Sequence, residues 1–267
     1  MTTLDRTLVV PGCRLAYADL PGPRTPVVFL HGAGADHRMF EGQAAALSRA
    51  GHRCVLTDLR GHGASRPCTT PVTAAALLDD ARALLDRLDL HGAVLAGLSL
   101  GGNIAQALVR EAPRRFAGLV AMSCTWNTGP LTPLERLSLR LAAPVLAAIP
   151  QRLLPRLMAR ASAATPAARA DAERTFAAMP KRAFLEVWKA TADFVAPDPG
   201  YRTPVPLLLV RGARDRTGNI ATAMPAWAAF EGIAERPVAG AGHLVCQDAP
   251  DEVRERLLAF LRGLPRR

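Results

Sequence analysis

The sequence predicts an α/β protein: an open, mostly parallel sheet flanked by helices and interrupted once by a helical insertion. Three observations lead there. Short apolar runs, continuous rather than alternating, recur along the 267-residue chain, as strands buried on both faces require. Segments with helical apolar spacing lie between them, and that alternation builds βαβ units with right-handed crossovers. From residue 125 to 199 the rhythm stops. That stretch is rich in Ala, Leu, Arg and Pro and reads as short helices punctuated at Pro130, Pro133, Pro144, Pro150, Pro155, Pro166 and Pro180.

Taken in order, the segments before Pro21, residues 14–19 among them, read as an antiparallel hairpin. Strands are expected at 26–30, 53–58, 93–98, 118–123, 205–211 and 235–238, and helices at 40–50, 72–88, 100–111, 221–230 and 251–261. Two core segments, 1–124 and 200–267, thus enclose an insertion over the sheet, 125–199. It is no linker, because its apolar residues recur at helical spacing.

Composition narrows the function. Hydrophobic residues make up 49% of the chain, normal for a protein with a sizeable core. The net charge of +10 would suit a polyanion, yet the cations are almost all arginine, with lysine only at 181 and 189, and they form no run. Aromatic residues are 5%, too few for a base-stacking surface, so no nucleic-acid partner is expected. The five cysteines (Cys13, Cys54, Cys68, Cys124, Cys246) are odd in number and irregularly spaced, which argues against a zinc site or structural disulfides. The N-terminus lacks a signal-like apolar region, and the longest apolar stretch, "LAAPVLAAIP", is too short for a bilayer. The expectation is a cytoplasmic protein that acts on a small molecule, without membrane, metal or cofactor.

The chemistry concentrates at "VLAGLSLGGNIAQAL", residues 94–108. Serine is scarce, six in the chain, and one of them, Ser99, sits among Gly97, Gly101 and Gly102 between an expected strand and an expected helix. A serine hydroxyl needs a base, a group that orients the base, and donors for the oxyanion it generates. A sharp strand-to-helix turn lifts such a hydroxyl clear of the sheet and demands small neighbours. "FLHGAGAD" after the strand at 26–30 can offer the N–H of Ala33 as an oxyanion donor beside that of Leu100. His31 there is read as a loop brace rather than the base. "LLLVRGARDRTGN" puts Asp215 just past a strand end, where open α/β sheets collect functional groups. "VAGAGHLVCQDAP" puts His243 in a loop before the final helix. The order Ser99, Asp215, His243 is that of a nucleophile, its acid and its base. Asp193 and Asp198 are spare acids inside the insertion, and Asp58, Arg60, His62 and Ser65 read as a set that ties down a loop. No HExxH, dinucleotide fingerprint or P-loop lysine is present.

"HGAG", "DLRGHGAS", "GLSLGG", "RGARD" and "GAGH", in this order, resemble the α/β-hydrolase superfamily over nearly the whole chain. The resemblance implies the α/β-hydrolase fold: an eight-stranded, mostly parallel sheet, with residues 125–199 as a helical cap. It also implies Ser99–His243–Asp215 as catalytic triad and Ala33 and Leu100 as oxyanion donors. Serine at the turn sets the chain apart from the haloalkane dehalogenase and epoxide hydrolase branches, which carry Asp there. "RGHGAS" and "GLSLGG" are similar to those of enol-lactone hydrolases, small esterases and haloperoxidase-like perhydrolases. The expected activity is cleavage of a small to medium carboxylic ester or lactone. Trp126 and Trp188 are expected to wall the substrate pocket. The alternatives are a C–C bond hydrolase or cofactor-free lyase using the same residues, and a non-catalytic small-molecule binding protein of the same fold.

Overall fold

The computed structural model describes residues 2–265; the outer ends of the expected core segments, residues 1 and 266–267, lie outside them. Seven strands form one sheet: β1 (Arg6–Val10), β2 (Cys13–Leu20), β3 (Arg24–Leu30), β4 (His52–Thr57), β5 (Ala93–Leu98), β6 (Phe116–Met122) and β7 (Leu207–Val210). Their spatial order is β1-β2-β4-β3-β5-β6-β7. The first two form an antiparallel hairpin that runs antiparallel to β4, and the remaining pairings are parallel. Every residue of β5 is buried, which explains its unbroken apolar run.

The chain winds from β3 outward to β4, then crosses back to place β5 on the other side of β3. Connections therefore leave the C-terminal ends of β3 and β5 in opposite directions, and a crevice opens between them. Helices α1 (Glu41–Arg49), α2 (Ala74–Arg87) and α3 (Leu100–Glu111) fill the first crossovers. Four more follow β6: α4 (Pro133–Ala148), α5 (Leu154–Ser162), α6 (Pro166–Ala178) and α7 (Lys181–Asp193). Beyond β7 come α8 (Ile220–Glu231), the single turn α9 (Val245–Asp248) and α10 (Pro250–Arg262). Helix starts agree with sequence chemistry. Thr132 and Glu135 make a reciprocal capping box on α4, and Thr73 and Thr165 cap α2 and α6. The segments that enter and leave the four-helix stretch are bonded to each other, Ala196 N–H to Asn127 O and Asp198 N–H to Thr128 O, each at 2.8 Å. A long insertion closed at its base in this way costs the fold little.

The expected eighth strand is not formed. Residues 235–238 contribute a single parallel bridge, Gly212 to Val238. "ERPV" explains why: Pro237 has no N–H for a ladder, and Val238 alone is apolar. Val238 N–H reaches Arg211 O at 2.7 Å and Ala213 N–H reaches Val238 O at 2.9 Å, which aligns the loop carrying Asp215 with the loop carrying His243. Among the described residues no helix is long and apolar enough to cross a membrane.

Candidate active site

Ser99 stands at the junction of β5 and α3 with φ 54° and ψ −118°, a backbone state that costs an L-residue of the order of 1–3 kcal/mol and persists only where surroundings enforce it. The surroundings do so. A Cβ on Gly97 would strike the carbonyl of Gly101, and one on Gly101 would strike the carbonyl of Leu30 at the end of β3. The glycines thus let α3 start in contact with two strand ends. Ser99 N–H donates to Met122 O at 2.9 Å and its carbonyl accepts from Asn103 N–H at 3.0 Å, which fixes the turn from both sides.

Asp215 and His243 come together across the Gly212–Val238 bridge. His243 Nδ1 donates to Asp215 Oδ2 at 3.0 Å, and both side chains are buried. The other carboxylate oxygen accepts Thr217 N–H at 2.8 Å. Burial alone would raise the Asp215 pKa, but the adjacent His243 and the donated hydrogen bonds outweigh it and hold the carboxyl below its ordinary range. Nδ1 is therefore kept protonated, and Nε2 is the ring nitrogen with a lone pair to offer. Ser99 and His243 line one cavity of about 560 Å³, together with Gly32, Ala33, Phe176 and Trp188. That size suits a small organic ligand, for which roughly 300–1,000 Å³ is usual.

Ala33 lies in the loop after β3. Among the described residues, the N–H groups of Gly34 and Ala35 in this loop are bonded, to His62 Nε2 at 3.1 Å and to Gly32 O at 3.1 Å, and no such bond is found for Ala33 N–H. Leu100 is the first residue of α3, where the helix supplies no acceptor for its N–H. The loop is braced by two fully buried histidines whose rings meet edge to face at 4.8 Å. His31 Nδ1 donates to Gly32 O at 2.8 Å, and Nε2 accepts Leu59 N–H at 2.9 Å. His62 Nδ1 donates to Arg60 O at 2.9 Å, and Nε2 accepts Gly34 N–H. Each ring is an acceptor at one nitrogen and must be neutral. Neither has a free nitrogen for proton abstraction. Asp58 completes the brace. Its carboxylate accepts His37 N–H at 2.7 Å, His37 Nδ1–H at 2.9 Å and Ala64 N–H at 2.6 Å, and its carbonyl accepts the Ser65 hydroxyl at 2.6 Å. Arg60 forms a buried two-pronged pair with Asp80 at 2.6 and 2.8 Å.

These neutral histidines set a pH dependence. Burial, with the neighbouring His31, lowers the His62 pKa to about 3. An unfolded chain takes up that proton near pH 6.5 and the folded one does not, so His62 contributes stability above pH 6.5 that drains away as pH falls toward 3. His31, also lowered by burial, acts in the same sense, and His37, raised by Asp58, in the opposite one. Replacing His62 by Gln is expected to flatten the fall of unfolding free energy between pH 6.5 and 4.5 by about 1.4 kcal/mol per pH unit. Urea melts at a series of pH values measure this; parallel wild-type and variant slopes would contradict it.

Sequence reasoning missed Asp248. Its carboxylate accepts Gly242 N–H at 2.8 Å, Ala164 N–H at 2.9 Å, Thr165 N–H at 2.8 Å and the Thr165 hydroxyl at 2.9 Å. With Leu244 N–H bonded to Ser162 O at 2.9 Å, the residues on both sides of His243 are tied to the α5–α6 junction. A carboxylate five residues after a histidine has no signature in sequence; only the fold brings it under the loop.

The expected pocket tryptophans part company. Trp188, on α7, lines the cavity. Trp126 does not: it is buried against α8, stacked on Trp227 with ring centres 6.2 Å apart and planes 3° from parallel, and tilted on Phe230 at 5.2 Å. The reason is local. Asn127 beside it is pinned to Asn103 and Gln106 of α3, so residue 126 faces the core layer rather than the crevice. Asp198 pairs with Arg110 on the surface, and Asp193 is exposed at the end of α7.

An open, mostly parallel sheet with a strained serine at the switch-point crevice, facing a cavity also lined by a histidine that is backed by a buried carboxylate, defines a class of α/β enzyme scaffold. Residues 27–256 match the model of the alpha/beta hydrolase family, and the chain belongs to that family. A thermophilic esterase from Thermogutta terrifontis superposes with a TM-score of 0.77 at 26% identity over 96% of both chains. The enol-lactonase from Burkholderia xenovorans LB400 does so with a TM-score of 0.73 at 25% identity, over 97% of this chain and 100% of that one. The AB hydrolase superfamily protein YisY of Bacillus subtilis is 40% identical over 84 residues, 32% of this chain. That alignment spans 31% of the relative's length, about a third.

Proposed function

We propose that the protein is a serine hydrolase that cleaves a small to medium carboxylic ester or lactone through an acyl-enzyme. The observation that carries this reading is the convergence of the strained Ser99 turn and the Asp215–His243 pair on one cavity. Ser99 Oγ attacks the acyl carbon while His243 Nε2 takes its proton; Asp215 holds the tautomer and stabilises the imidazolium. The Ala33 and Leu100 N–H groups receive the oxyanion, and their rigid loop and helix end supply that stabilisation without reorganising. His243 returns the proton to the leaving alcohol, then activates water against the acyl-enzyme. The esterase and enol-lactonase among the structural neighbours support this class of bond. A binding protein has no use for backbone strain stored under a serine, which favours the catalytic reading.

In the same reading the insertion, residues 125–199, is a cap whose helices wall the cavity, Trp188 and Phe176 among its contributions. A panel of aryl esters of graded acyl length and of simple lactones tests both parts. The wild type is expected to hydrolyse members of it. Trp188→Ala is expected to reorder them, with discrimination lost by about 1–3 kcal/mol. Trp126→Ala is expected to lose about 3–5 kcal/mol of stability and keep the parent order. No turnover across the panel contradicts the hydrolase reading; an order unchanged in folded Trp188→Ala contradicts the role of the cap.

A further inference from the structure

The cavity has a charge pattern that cleavage of a neutral ester does not require. Four arginines line it, Arg160 and Arg169 from the helical side and Arg214 and Arg216 on either side of Asp215, and no Asp or Glu stands among the lining residues. Elsewhere a part of the arginine charge is neutralised. Twelve are paired with carboxylates, from the buried Arg60–Asp80 pair to surface pairs such as Arg82–Glu111. None of the four at the cavity has a carboxylate partner among the described residues; the Arg169 guanidinium donates to Ala163 O at 2.8 Å. Cations gathered from two separate parts of the chain around one opening, with low-dielectric walls of Val145, Leu146 and Phe176 between them, focus a positive potential into it. The guanidinium fork matches an oxyanion group in shape as well as charge.

We infer that the substrate of this site is an ester or lactone bearing a second, anionic group, a carboxylate or a phosphate, several bonds from the scissile carbonyl. The inference rests on the hydrolase reading above and specifies its substrate class. The apolar wall takes the intervening carbons, the reacting carbonyl sits at Ser99, and the distal anion reaches the arginines at the mouth. The carboxylates of Asp215, behind His243, and Asp248, bonded to Gly242 and Ala164 N–H, offset part of this charge, but two carboxylates against four guanidinium groups leave the opening net positive.

Matched substrate pairs test this with the whole chain. An aryl hexanoate is compared with the aryl hemiadipate, which differs in its terminal carboxylate, and 2-hydroxyethyl hexanoate with 2-phosphoethyl hexanoate. At low salt kcat/KM is expected to favour the anionic member of at least one pair by about tenfold, and the pair that responds tells carboxylate from phosphate. The ratio is expected to fall toward one in 1 M NaCl, where screening acts within about 3 Å. In Arg160→Gln and Arg216→Gln the anionic-to-neutral ratio should fall severalfold; a purely structural role would lower both members alike. A ratio at or below one in both pairs overturns the inference, as does a preference indifferent to both arginine variants. Binding to Ser99→Ala separates this from failure of the hydrolase reading. Tighter binding of an anionic member there, with no turnover by wild type, would leave the anion site standing and remove the hydrolase. Equal binding of both members would overturn the anion site itself.

Discussion

Ser99→Ala is expected to lower kcat for any hydrolysed ester by about 10³-fold or more, with the unfolding transition little changed. The size follows from the mechanism: removing the nucleophile leaves the oxyanion donors and the cavity, which together retain only a residual rate above water. The fold should tolerate the change, because the Ser99 backbone is held by Met122 O and Asn103 N–H and by the glycines packed around it, none of which uses the hydroxyl. Relief of a side chain at φ 54° is not at issue, since alanine keeps its Cβ. Steady-state kinetics with an aryl ester, beside a thermal melt, measure both halves. Near-normal turnover by the folded variant would end the covalent mechanism.

Asp215→Asn is expected to cost on the order of 10²- to 10⁴-fold in kcat. The substitution keeps the volume and removes the charge. The amide can present N–H where Oδ2 now accepts from His243 Nδ1, which turns the ring to the tautomer that carries its proton on Nε2 and cannot act as base. The imidazolium formed during attack also loses its counter-charge. The spare acids provide the control. Asp198→Asn removes an ion pair that is 41% exposed on both sides, worth at most about 1 kcal/mol, and should leave kcat within a fewfold of wild type. Asp193→Asn should do the same. A benign Asp215→Asn beside a damaging Asp193→Asn or Asp198→Asn would move the acid to the insertion.

The parts legible in sequence were those where chemistry and backbone geometry need the same residues. "GLSLGG" has glycines because α3 starts against two strand ends, and the strained turn between them is where Ser99 stands. "DLRGHGAS" could be read as a brace because Asp, His and Ser between glycines bond to nearby backbone, and the structure adds only whom they hold: the loop that carries Ala33. Where the answer depends on distant packing, sequence was silent or misleading. Trp126 follows β6 at the entrance to the insertion and looks like a pocket residue, until Trp227 and Phe230 of α8 claim it. Residues 235–238 resemble a strand in position but not in hydrogen-bonding capacity, and Pro237 limits them to one bridge. Asp248 accepts a hydrogen bond from Gly242 in the His243 loop and three more from residues 164 and 165, which lie beyond any local pattern.

In the proposed mechanism Ser99 becomes acylated during turnover. The most direct measurement of this step is an acid quench of the wild type mixed with an aryl ester, followed by mass analysis of the intact chain and its peptides. A mass gain equal to the acyl group is expected, formed with a burst of phenol, confined to the peptide that carries Ser99 and absent from Ser99→Ala. Acyl groups mapped to another residue with Ser99 unmodified, while the ester is being consumed, would contradict it.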